Sequence, residues 1–590
     1  MLMLSFMMSA CSLSAKKIKQ VDQQVNFQRE QQINCPGDPV NKCSADSPLL
    51  ELARENTAAS RNHVTLLEVG EDALKIRVHL IRAARDNIDI QNFILRRDDT
   101  GELFLNELLN AARRGVKVRL LLDQMFTVSD LDYLVRLTFA HQNFEIKFYN
   151  PSFNKAEMEK HDWISAVACC FRRFNQRMHN KMIVVDGLIG VIGGRNIADR
   201  YFDFDTNYDF KDRDVAVMGA TALDMHSSFE VFWQYKKSIP IQHLRDVAGE
   251  LLDGAETELE PFIPSPRLFS LLEQTRDQAY IRATFIDTAF EIENLEYFSD
   301  WPRKTEHPEY AQPEDITLKL HNLLLSAKES IVIQSPYMVL SNSARRLFRD
   351  LKEENPSLEL VFSTNSLAST DADTVYANTH KHKKRYVKRL GFLMYEFKPF
   401  PMDAPIFFPR WSELIKEKKQ GVISRSTVSG DDSTVAIPAP RVGLHSKSFV
   451  VDGKVAMIGS HNFDPRSEGF NTENGLIIWD EKFAKKLESL IRRDIEPQNS
   501  WIVAMRPDEE TESALDHGEI VNTQTKSEAW YYGSTSVFEL IPGKERVTPD
   551  SPDFYNNYYA VGSFPEVITT RRQITVLFLS SFFGFLEPIL

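Results

Sequence analysis

The hydrophobic and polar positions predict an α/β chain in which one order of elements occurs twice. Apolar residues recur at helical spacing over residues 73–84, and residues 87–95 then alternate between apolar and polar as a strand does. A second helix is predicted over residues 102–114, and a mostly apolar strand over residues 116–122. The first half of the chain therefore predicts helices that alternate with strands.

The same order returns in the second half of the chain. Helices and strands are predicted in alternation over residues 317–328, 330–335, 343–352 and 358–362. A repeat of such a long period indicates two homologous lobes rather than a solenoid. The predicted fold class is α/β, with two homologous α/β lobes, mixed sheets flanked by helices, and the active site at the lobe interface.

Each predicted lobe contains one copy of a charged motif with the spacing His-x-Lys-x4-Asp. The two copies consist of His179, Lys181 and Asp186, and of His445, Lys447 and Asp452. Because residues i and i+2 of a strand share a face, the histidine and lysine of each copy point the same way. A neutral imidazole beside an ammonium group combines a nucleophile with an anion site. The aspartate is expected to orient the histidine from behind and to fix its tautomer.

A turn of small residues and an asparagine follow each motif. The first copy has Gly194 and Asn196, and the second has Ser460 and Asn462. Together with the lysines they are expected to hold the oxygens of a phosphoryl group, whose charge must be stabilised in the transition state. One histidine would form a phosphohistidine, and the other would protonate the leaving alcohol and deprotonate the acceptor. Neither a metal nor another cofactor is expected.

The doubled motif resembles the signature of the phospholipase D superfamily. Residues 459–467 and 471–473 resemble the cardiolipin synthase pattern, and residues 176–181, 193–197, 365–368 and 395–399 resemble the C branch of that family in particular. In that family's pattern, Asp212 and Glu473 support the histidine of the opposite lobe. By analogy His179 is the nucleophile and His445 the general acid and base, although the residues alone do not separate these roles.

The resemblance implies a phosphatidyl transferase of this fold. It would make cardiolipin from phosphatidylglycerol and a second phospholipid, thought in this branch to be phosphatidylethanolamine. Three alternatives stay open: a hydrolytic phospholipase D that releases phosphatidic acid, a metal-independent phosphodiesterase nuclease, and a non-catalytic envelope scaffold. The implied partners are phospholipids and a membrane surface, and the need for an accessory protein is left open.

The charge of the chain favours a lipid over a nucleic acid as the substrate. The 590 residues carry a net charge of −13, whereas proteins that follow a phosphate backbone are usually basic. No nucleic acid is therefore expected among the partners.

Five segments are predicted along the chain. They are a lipoprotein-like N-terminal tether (residues 1–45), a first lobe (46–240), a linker (241–313), a second lobe (314–500) and a C-terminal tail with an apolar membrane-surface segment (501–590).

Several stretches could bring the chain to a membrane. Residues 9–11 resemble a bacterial lipoprotein box, which makes Cys11 a candidate for lipidation, with a frayed apolar N-terminus as the alternative. The apolar residues that follow Arg571 at the C-terminus could lie in a membrane interface or form a helix that docks on the protein core. The basic residues 381–389 suit anionic headgroups or form an exposed helix face. These stretches favour a membrane-associated protein of the bacterial cell envelope that faces the periplasm.

The cysteines divide into two kinds. Cys35 and Cys43 bracket a turn-rich segment that could close a disulfide loop in an oxidising compartment. The neighbouring Cys169 and Cys170 are interpreted as structural thiols, because adjacent cysteines rarely pair and no zinc-binding cluster surrounds them.

Overall fold

The chain forms two compact units, and each unit takes one short segment from the other half of the sequence. The computed structural model describes residues 13–35, 37–38, 40–125, 130–304, 316–419, 439–507, 534–567 and 575–576. The first unit comprises Met1–Phe202, Arg213–Ala311 and Gly469–Leu476, and the second comprises Asp203–Asp212, Gln312–Glu468 and Ile477–Leu590.

The strands are numbered in chain order. They are β1 (Asn62–Leu67), β2 (Asn87–Asn92), β3 (Lys117–Asp123), β4 (Phe144–Tyr149), β5 (Met182–Val185), β6 (Ile189–Gly193), β7 (Tyr208–Lys211), β8 (Asp214–Gly219), β9 (Ser238–Pro240), β10 (Phe290–Ile292), β11 (Leu295–Ser299), β12 (Ser330–Gln334), β13 (Glu359–Asn365), β14 (Phe392–Phe397), β15 (Arg441–Leu444), β16 (Ser448–Val451), β17 (Val455–Gly459), β18 (Asn474–Ile478), β19 (Ser500–Met505), β20 (Thr535–Leu540) and β21 (Tyr558–Gly562).

The helices are named by their bounds. The α-helices are Ala15–Gln28, Pro48–Ala58, Gly70–Ala83, Asp99–Arg113, Leu131–Phe139, Lys160–Asn175, Thr221–Trp233, Arg245–Asp253, Pro266–Gln274, Gln278–Ile281, Ile316–Leu325, Asn342–Glu354, Asp373–Lys384, Ala404–Phe407, Pro465–Gly469, Glu481–Asp494 and Phe554–Asn557. Short 3-10 helices cover Ser152–Asn154, Asp199–Tyr201 and Ile241–His243, and π-helical turns cover Arg282–Ile286 and Arg385–Arg389.

The first unit is built on a nine-stranded mixed sheet with the order β10-β1-β8-β6-β5-β2-β3-β4-β9. Strands β2, β3 and β4 are parallel, whereas β5 is antiparallel to both β2 and β6. Every residue of β5 and β6 is buried, as expected for central strands covered on both faces by helices. The predicted helices over residues 73–84 and 102–114 are Gly70–Ala83 and Asp99–Arg113.

The second unit repeats this arrangement. Its strands run in the order β17-β16-β12-β13-β14-β19-β20-β21. Strands β12, β13 and β14 are parallel, and β16 is antiparallel to both β12 and β17. The run β17-β16-β12-β13-β14 therefore matches β6-β5-β2-β3-β4 in order and direction. The predicted fold class of two mixed α/β lobes flanked by helices is confirmed.

Two segments differ from their predicted character. The predicted linker covers residues 241–313, and its described part, residues 241–304, belongs to the first unit, where β10 pairs with β1 and Leu268 and Ile281 are buried. Residues beyond 500, predicted as a tail, add β19, β20 and β21 to the second sheet. Both segments combine prolines with short strands, and a short strand offers too few residues for clear alternation.

Part of the predicted membrane contact lies outside the described residues, namely Cys11 and the apolar residues 577–590. Among the helices that the structure describes, none has the length and apolar character needed to cross a bilayer. In the basic cluster, His382 and Tyr386 are buried, and the buried Lys383 forms an ion pair with Glu396 at 2.7 Å. The remaining cationic residues of the cluster, Lys381, Lys384, Arg385, Lys388 and Arg389, are exposed.

The cysteines only partly match their interpretation. Cys35 and Cys43 form a disulfide. The sulfur atoms of Cys169 and Cys170 also lie at bonding distance, contrary to their interpretation as unpaired thiols.

The aspartate of each motif fastens the turn after its strand to the neighbouring strand. The carboxylate of Asp186 accepts hydrogen bonds from the backbone N–H groups of residues 85–87. The carboxylate of Asp452 accepts the equivalent bonds from residues 328–330. Both aspartates have a φ of 53°, a left-handed conformation that each repeat holds with three amide bonds.

These contacts predict a stability role for the two aspartates. Asp186→Ala and Asp452→Ala should each cost roughly 1–3 kcal/mol, because several backbone donors lose their acceptor. Thermal unfolding measures the loss, with Asp350→Ala as the control, since Asp350 is exposed and, among the described residues, its carboxylate pairs with the neighbouring Arg349. An unchanged unfolding midpoint together with lost turnover would contradict this role.

Candidate active site

The first motif lies beside the segment that comes from the far end of the sequence. The backbone N–H of His179 donates to the carbonyl oxygen of Thr472 at 2.9 Å, and the N–H of Thr472 donates to the carbonyl oxygen of Arg177 at 2.9 Å. The hydroxyl of Thr472 also donates to the side-chain oxygen of Asn180 at 2.6 Å. Residues 469–476 are thus fixed along the motif of the first unit.

This pairing brings a buried carboxylate to the first histidine. Nδ1 of His179 lies 2.9 Å from Oε2 of Glu473, whose side chain is fully buried. Because an ionised carboxylate can only accept, Nδ1 is the donor of this bond. In the neutral imidazole, Nε2 then carries the lone pair and is the nucleophilic atom.

Glu473 is itself fixed through its backbone. Its N–H donates to Oδ2 of Asp300 at 2.9 Å, and the N–H of Asp300 donates to the Glu473 carbonyl oxygen at 2.9 Å. Nζ of Lys304 donates to the same Asp300 carboxylate at 2.8 Å. Burial raises the pKa of Asp300 to about 6, and the Lys304 ammonium group opposes the rise. This network limits how far the Glu473 carboxylate can move from the imidazole.

Lys181 and an aromatic ring complete the first half-site. Nζ of Lys181 donates to the carbonyl oxygen of His179 at 2.7 Å and lies 5.3 Å from the centre of the Phe93 ring. The Phe93 ring meets the His179 ring edge-on at 5.0 Å. The ammonium group and the imidazole therefore lie against the same aromatic side chain.

The second half-site has the same construction within the second unit. Strand β7 pairs in parallel with β15, and the N–H of His445 donates to the carbonyl oxygen of Lys211 at 2.8 Å. This register brings Oδ2 of Asp212 to 2.6 Å from Nδ1 of His445. The Phe210 ring lies 4.7 Å from the His445 ring, and Nζ of Lys447 lies 3.0 Å from Nδ1 and 3.3 Å from Nε2 of His445.

The two supporting carboxylates occupy the places that the family pattern gives them. Glu473 contacts His179, and Asp212 contacts His445, although each pair comes from opposite halves of the sequence. Each acid lies in one of the two exchanged segments. Asp212 is the last residue of Asp203–Asp212, which belongs to the second unit, and Glu473 lies within Gly469–Leu476, which belongs to the first.

The expectation that the motif aspartates orient the histidines is wrong. The carboxylates of Asp186 and Asp452 are taken up by backbone N–H groups of the adjacent strands. The Nδ1 atom of His179 is instead bound by Glu473, and that of His445 by Asp212. Sequence spacing alone could not separate an aspartate that closes a turn from one that contacts an imidazole.

The four turn residues predicted to hold phosphate differ between the repeats. In Asn196, Oδ1 accepts from the N–H of Ile94 at 3.1 Å and Nδ2 donates to the hydroxyl of Tyr201 at 2.9 Å. In Asn462, the buried Oδ1 has no hydrogen-bond partner among the described residues. The N–H of Gly194 donates to a backbone carbonyl, and Ser460 is fully buried. A phosphate-binding role for these residues stays a prediction.

Two residues that were not selected as site residues hold the backbone just before each histidine. Oδ2 of Asp123, at the end of β3, accepts from the N–H of Met178 at 3.0 Å. Oδ1 of Asn365, at the end of β13, accepts from the N–H of Leu444 at 2.8 Å, and its Nδ2 donates to the Leu444 carbonyl oxygen at 2.7 Å. A polar residue at the carboxyl end of a predicted central apolar strand was the available signal.

Asp123 is fully buried, and the Arg177 guanidinium group beside it balances the negative charge of its carboxylate. Burial raises the pKa of the carboxyl group, whereas Arg177 and the N–H groups of Met125 and Met178 lower it. Nη1 of Arg177 lies 3.3 Å from Oδ1 of Asp123. The residue two positions before His179 is therefore tied to the same carboxylate as the residue one position before it.

Candidate metal-binding clusters in the described part of the chain do not include any motif residue. They consist of Cys35, Asp38 and Cys43, and of Glu159, His161 and Asp162. The two cysteines of the first cluster are joined in a disulfide.

Comparison with known proteins gives consistent similarities. A family model described as "Cardiolipin synthase, PLD-like domain" matches residues 78–233 and 320–495. Cardiolipin synthase C of Escherichia coli (strain K12) is 31% identical over 72% of this chain and 82% of its own length. An uncharacterized protein of Helicobacter pylori (strain 26695) is 30% identical over 87% of this chain and 94% of its own.

Solved structures show a weaker likeness. The phosphatidylserine synthase of Haemophilus influenzae Rd KW20 is 14% identical, with a TM-score of 0.44 over 77% of this chain and 91% of its own.

The Asn365 contacts predict a positioning role. Asn365→Ala should lower kcat on a phospholipid substrate roughly 10- to 100-fold and leave KM nearly unchanged, because small displacements of a reacting group are costly. Asn365→Asp keeps an acceptor for the Leu444 N–H and should recover part of the rate.

Asn355→Ala is the control, since it removes an exposed amide hydrogen bond to the Lys328 carbonyl oxygen. Wild-type kcat in Asn365→Ala, or a loss that only follows the folded fraction, would show that Asn365 does not position His445.

Proposed function

The chain belongs to the phospholipase D-like family of cardiolipin synthases, and on that basis we propose that it transfers a phosphatidyl group from one phospholipid to phosphatidylglycerol, forming cardiolipin. The observation that carries the proposal is the pair of histidines that each hold Nδ1 against a buried carboxylate. A neutral histidine whose Nδ1 donates to a carboxylate carries its lone pair on Nε2, the atom that takes part in nucleophilic or proton-transfer chemistry. Phosphatidylethanolamine is the proposed donor.

In the first proposed step, Nε2 of neutral His179 attacks the phosphorus of the donor lipid. The N–P bond forms as the P–O bond to the headgroup alcohol breaks, and protonated His445 gives its proton to the leaving oxygen. Glu473 offsets the positive charge that the phosphorylated ring of His179 acquires. The ammonium groups of Lys181 and Lys447 stabilise the negative charge on the phosphoryl oxygens.

In the second proposed step, the phosphatidyl group moves to the acceptor. Neutral His445 takes the proton of a phosphatidylglycerol hydroxyl, whose oxygen attacks phosphorus as the N–P bond breaks. His179 returns to its neutral form and His445 to its protonated form, so the proton balance closes over one turnover. Asp212 favours this protonation, because a buried carboxylate beside Nδ1 stabilises the imidazolium.

The location of the reaction is part of the proposal. We place the chain at the periplasmic face of the bacterial envelope, attached through lipidation of Cys11. The disulfide between Cys35 and Cys43 supports an oxidising compartment. The net charge of −13 supports a lipid over a nucleic acid.

The test is to supply purified protein with phosphatidylglycerol and phosphatidylethanolamine in mixed micelles containing EDTA. Cardiolipin and free ethanolamine should appear together. His179→Ala and His445→Ala should each lower the rate by about 10³-fold or more, because a positioned nucleophile or proton-transfer group is lost. His321→Ala, which replaces a histidine outside both motifs, is the matched control and should be active.

Each other product pattern contradicts a defined part of the proposal. Phosphatidic acid without cardiolipin would indicate hydrolysis, and metal-independent cleavage of DNA without lipid turnover would indicate a nuclease. Full activity in either histidine variant would exclude the two-histidine cycle.

A further inference from the structure

The part of helix Lys160–Asn175 that precedes Cys170 presents an apolar face to solvent. Trp163, Ile164 and Val167 are 39%, 72% and 51% exposed. Ala168 is also exposed, and Phe171 is half-buried. Trp163, Ile164, Val167 and Ala168 follow the spacing i, i+1, i+4 and i+5, which places them along one side of the helix before Cys170, where the backbone leaves the helical conformation. Large apolar residues grouped in this way mark an interaction surface.

The opposite side of the helix is fixed to the first unit. Asp162 and Ala166 are buried, whereas the buried Phe174, beyond the break at Cys170, packs edge-on against Trp163 with ring centres 5.2 Å apart. Nζ of Lys155 donates to Oδ2 of Asp162 at 2.7 Å, and Nδ2 of Asn150 donates to the carbonyl oxygen of Arg173 at 3.0 Å. The exposed apolar face therefore belongs to a helix that is docked by its other side.

The helix is continuous with the first half-site. It begins after β4 and ends at Asn175, and His179 is the fourth residue beyond that end. Asn150, which binds the last turn of the helix, also accepts from Nη2 of Arg177 through its carbonyl oxygen at 3.1 Å. The apolar face is therefore close, in sequence and in structure, to the segment before β5 that carries His179.

The second unit has exposed apolar residues at the equivalent place in its own repeat. Met402 and Ile406 are 76% and 60% exposed in the segment between β14 and His445. The neighbouring Phe407 is buried in a cluster with Val442 and Leu444, directly before that histidine. Because β14 corresponds to β4, each repeat exposes apolar side chains between its third parallel strand and its motif.

The charges beside the helix fit an anionic lipid surface. Arg172 and Arg173 are exposed at its carboxyl end, and neither forms an ion pair with a described residue. The chain as a whole carries a net charge of −13. A local pair of arginines next to an apolar face therefore makes this part of the surface better suited to phosphate headgroups than the rest of the protein surface. An apolar face with a tryptophan at its edge and arginines beyond it is typical of a helix that lies in a membrane interface.

We propose that helix Lys160–Asn175 lies in the surface of an anionic phospholipid bilayer. Ile164 and Val167 enter the boundary of the acyl chains, Trp163 lies at the edge, and Arg172 and Arg173 contact lipid phosphates. The proposal deepens the proposed function and rests on it for the substrate, since the interfacial helix would bring headgroups to the segment before β5 that carries His179.

The competing surface is the basic cluster of the second unit, residues 381–389. Its exposed residues Lys388 and Arg389 lead into the amino end of β14. Asn365, which holds the residue before His445, lies at the carboxyl end of the parallel neighbour β13. The basic cluster thus ends at the amino end of β14, whereas the residue before His445 is held at the carboxyl end of β13. Helix Lys160–Asn175, in contrast, follows the carboxyl end of β4.

The test measures co-sedimentation of the full chain with vesicles of phosphatidylcholine and phosphatidylglycerol. All variants carry Cys11→Ala, so that a lipid anchor does not contribute. Ile164→Asp/Val167→Asp should weaken vesicle binding at least about 10-fold, because charged side chains replace the apolar contact. Leu223→Asp/Val231→Asp is the matched control: both residues lie on helix Thr221–Trp233 of the same unit and are 48% and 43% exposed, and this variant should bind normally.

Two further variants separate charge from apolar contact. Arg172→Glu/Arg173→Glu should abolish the preference for vesicles that contain phosphatidylglycerol over phosphatidylcholine alone. Lys388→Glu/Arg389→Glu should bind as the parent does. Unchanged binding in Ile164→Asp/Val167→Asp, or binding lost only in the Lys388→Glu/Arg389→Glu variant, would overturn the assignment.

A turnover comparison separates this inference from the proposed function. Ile164→Asp/Val167→Asp should lose turnover on vesicles yet keep it within about 2-fold on short-chain lipids dispersed as monomers, since the reacting groups are untouched. His179→Ala should bind vesicles like its parent. Vesicle binding that depends on the helix in a chain that makes no cardiolipin would leave the surface assignment intact and refute only the proposed activity.

Discussion

The bond between an imidazole and a carboxylate from the other half of the sequence is the constraint on which both half-sites depend. Glu473 binds Nδ1 of His179, and Asp212 binds Nδ1 of His445. A buried carboxylate without a partner would be costly, and an imidazole without a fixed acceptor would lose its defined tautomer. The exchange of short segments between the units satisfies both requirements together, so the same pairing stabilises the fold and prepares the chemistry.

The duplication assigns separate tasks to polar residues that stand close together in the sequence. Asp186 and Asp452 close a turn against backbone N–H groups. Asp123 and Asn365 hold the backbone that leads into each histidine. Among the described residues, the histidines, the lysines and the exchanged acids are the groups that the proposed chemistry uses. This division explains how a site can use few reactive groups while many buried polar residues surround it.

Local patterns predicted the repeat, the central strands and the doubled motif, because alternation and spacing record contacts between near neighbours in sequence. The exchange of segments could not be found in this way, since strand β7 has four residues and pairs with β15 more than two hundred positions away. The family resemblance, rather than periodicity, indicated Asp212 and Glu473. The exposed face of helix Lys160–Asn175 was also missed, because exposed and buried apolar residues look alike in a sequence.

The most direct test of the central constraint is the kcat of Glu473→Gln for phosphatidyl transfer, measured beside its thermal unfolding. Glutamine keeps the shape and an acceptor for Nδ1 of His179 but removes the charge. We expect kcat to fall by about 10²- to 10⁴-fold with KM nearly unchanged and the fold retained, since a supporting carboxylate acts mainly on the charged states of its histidine. A kcat close to that of the wild type in a fully folded variant would contradict the account.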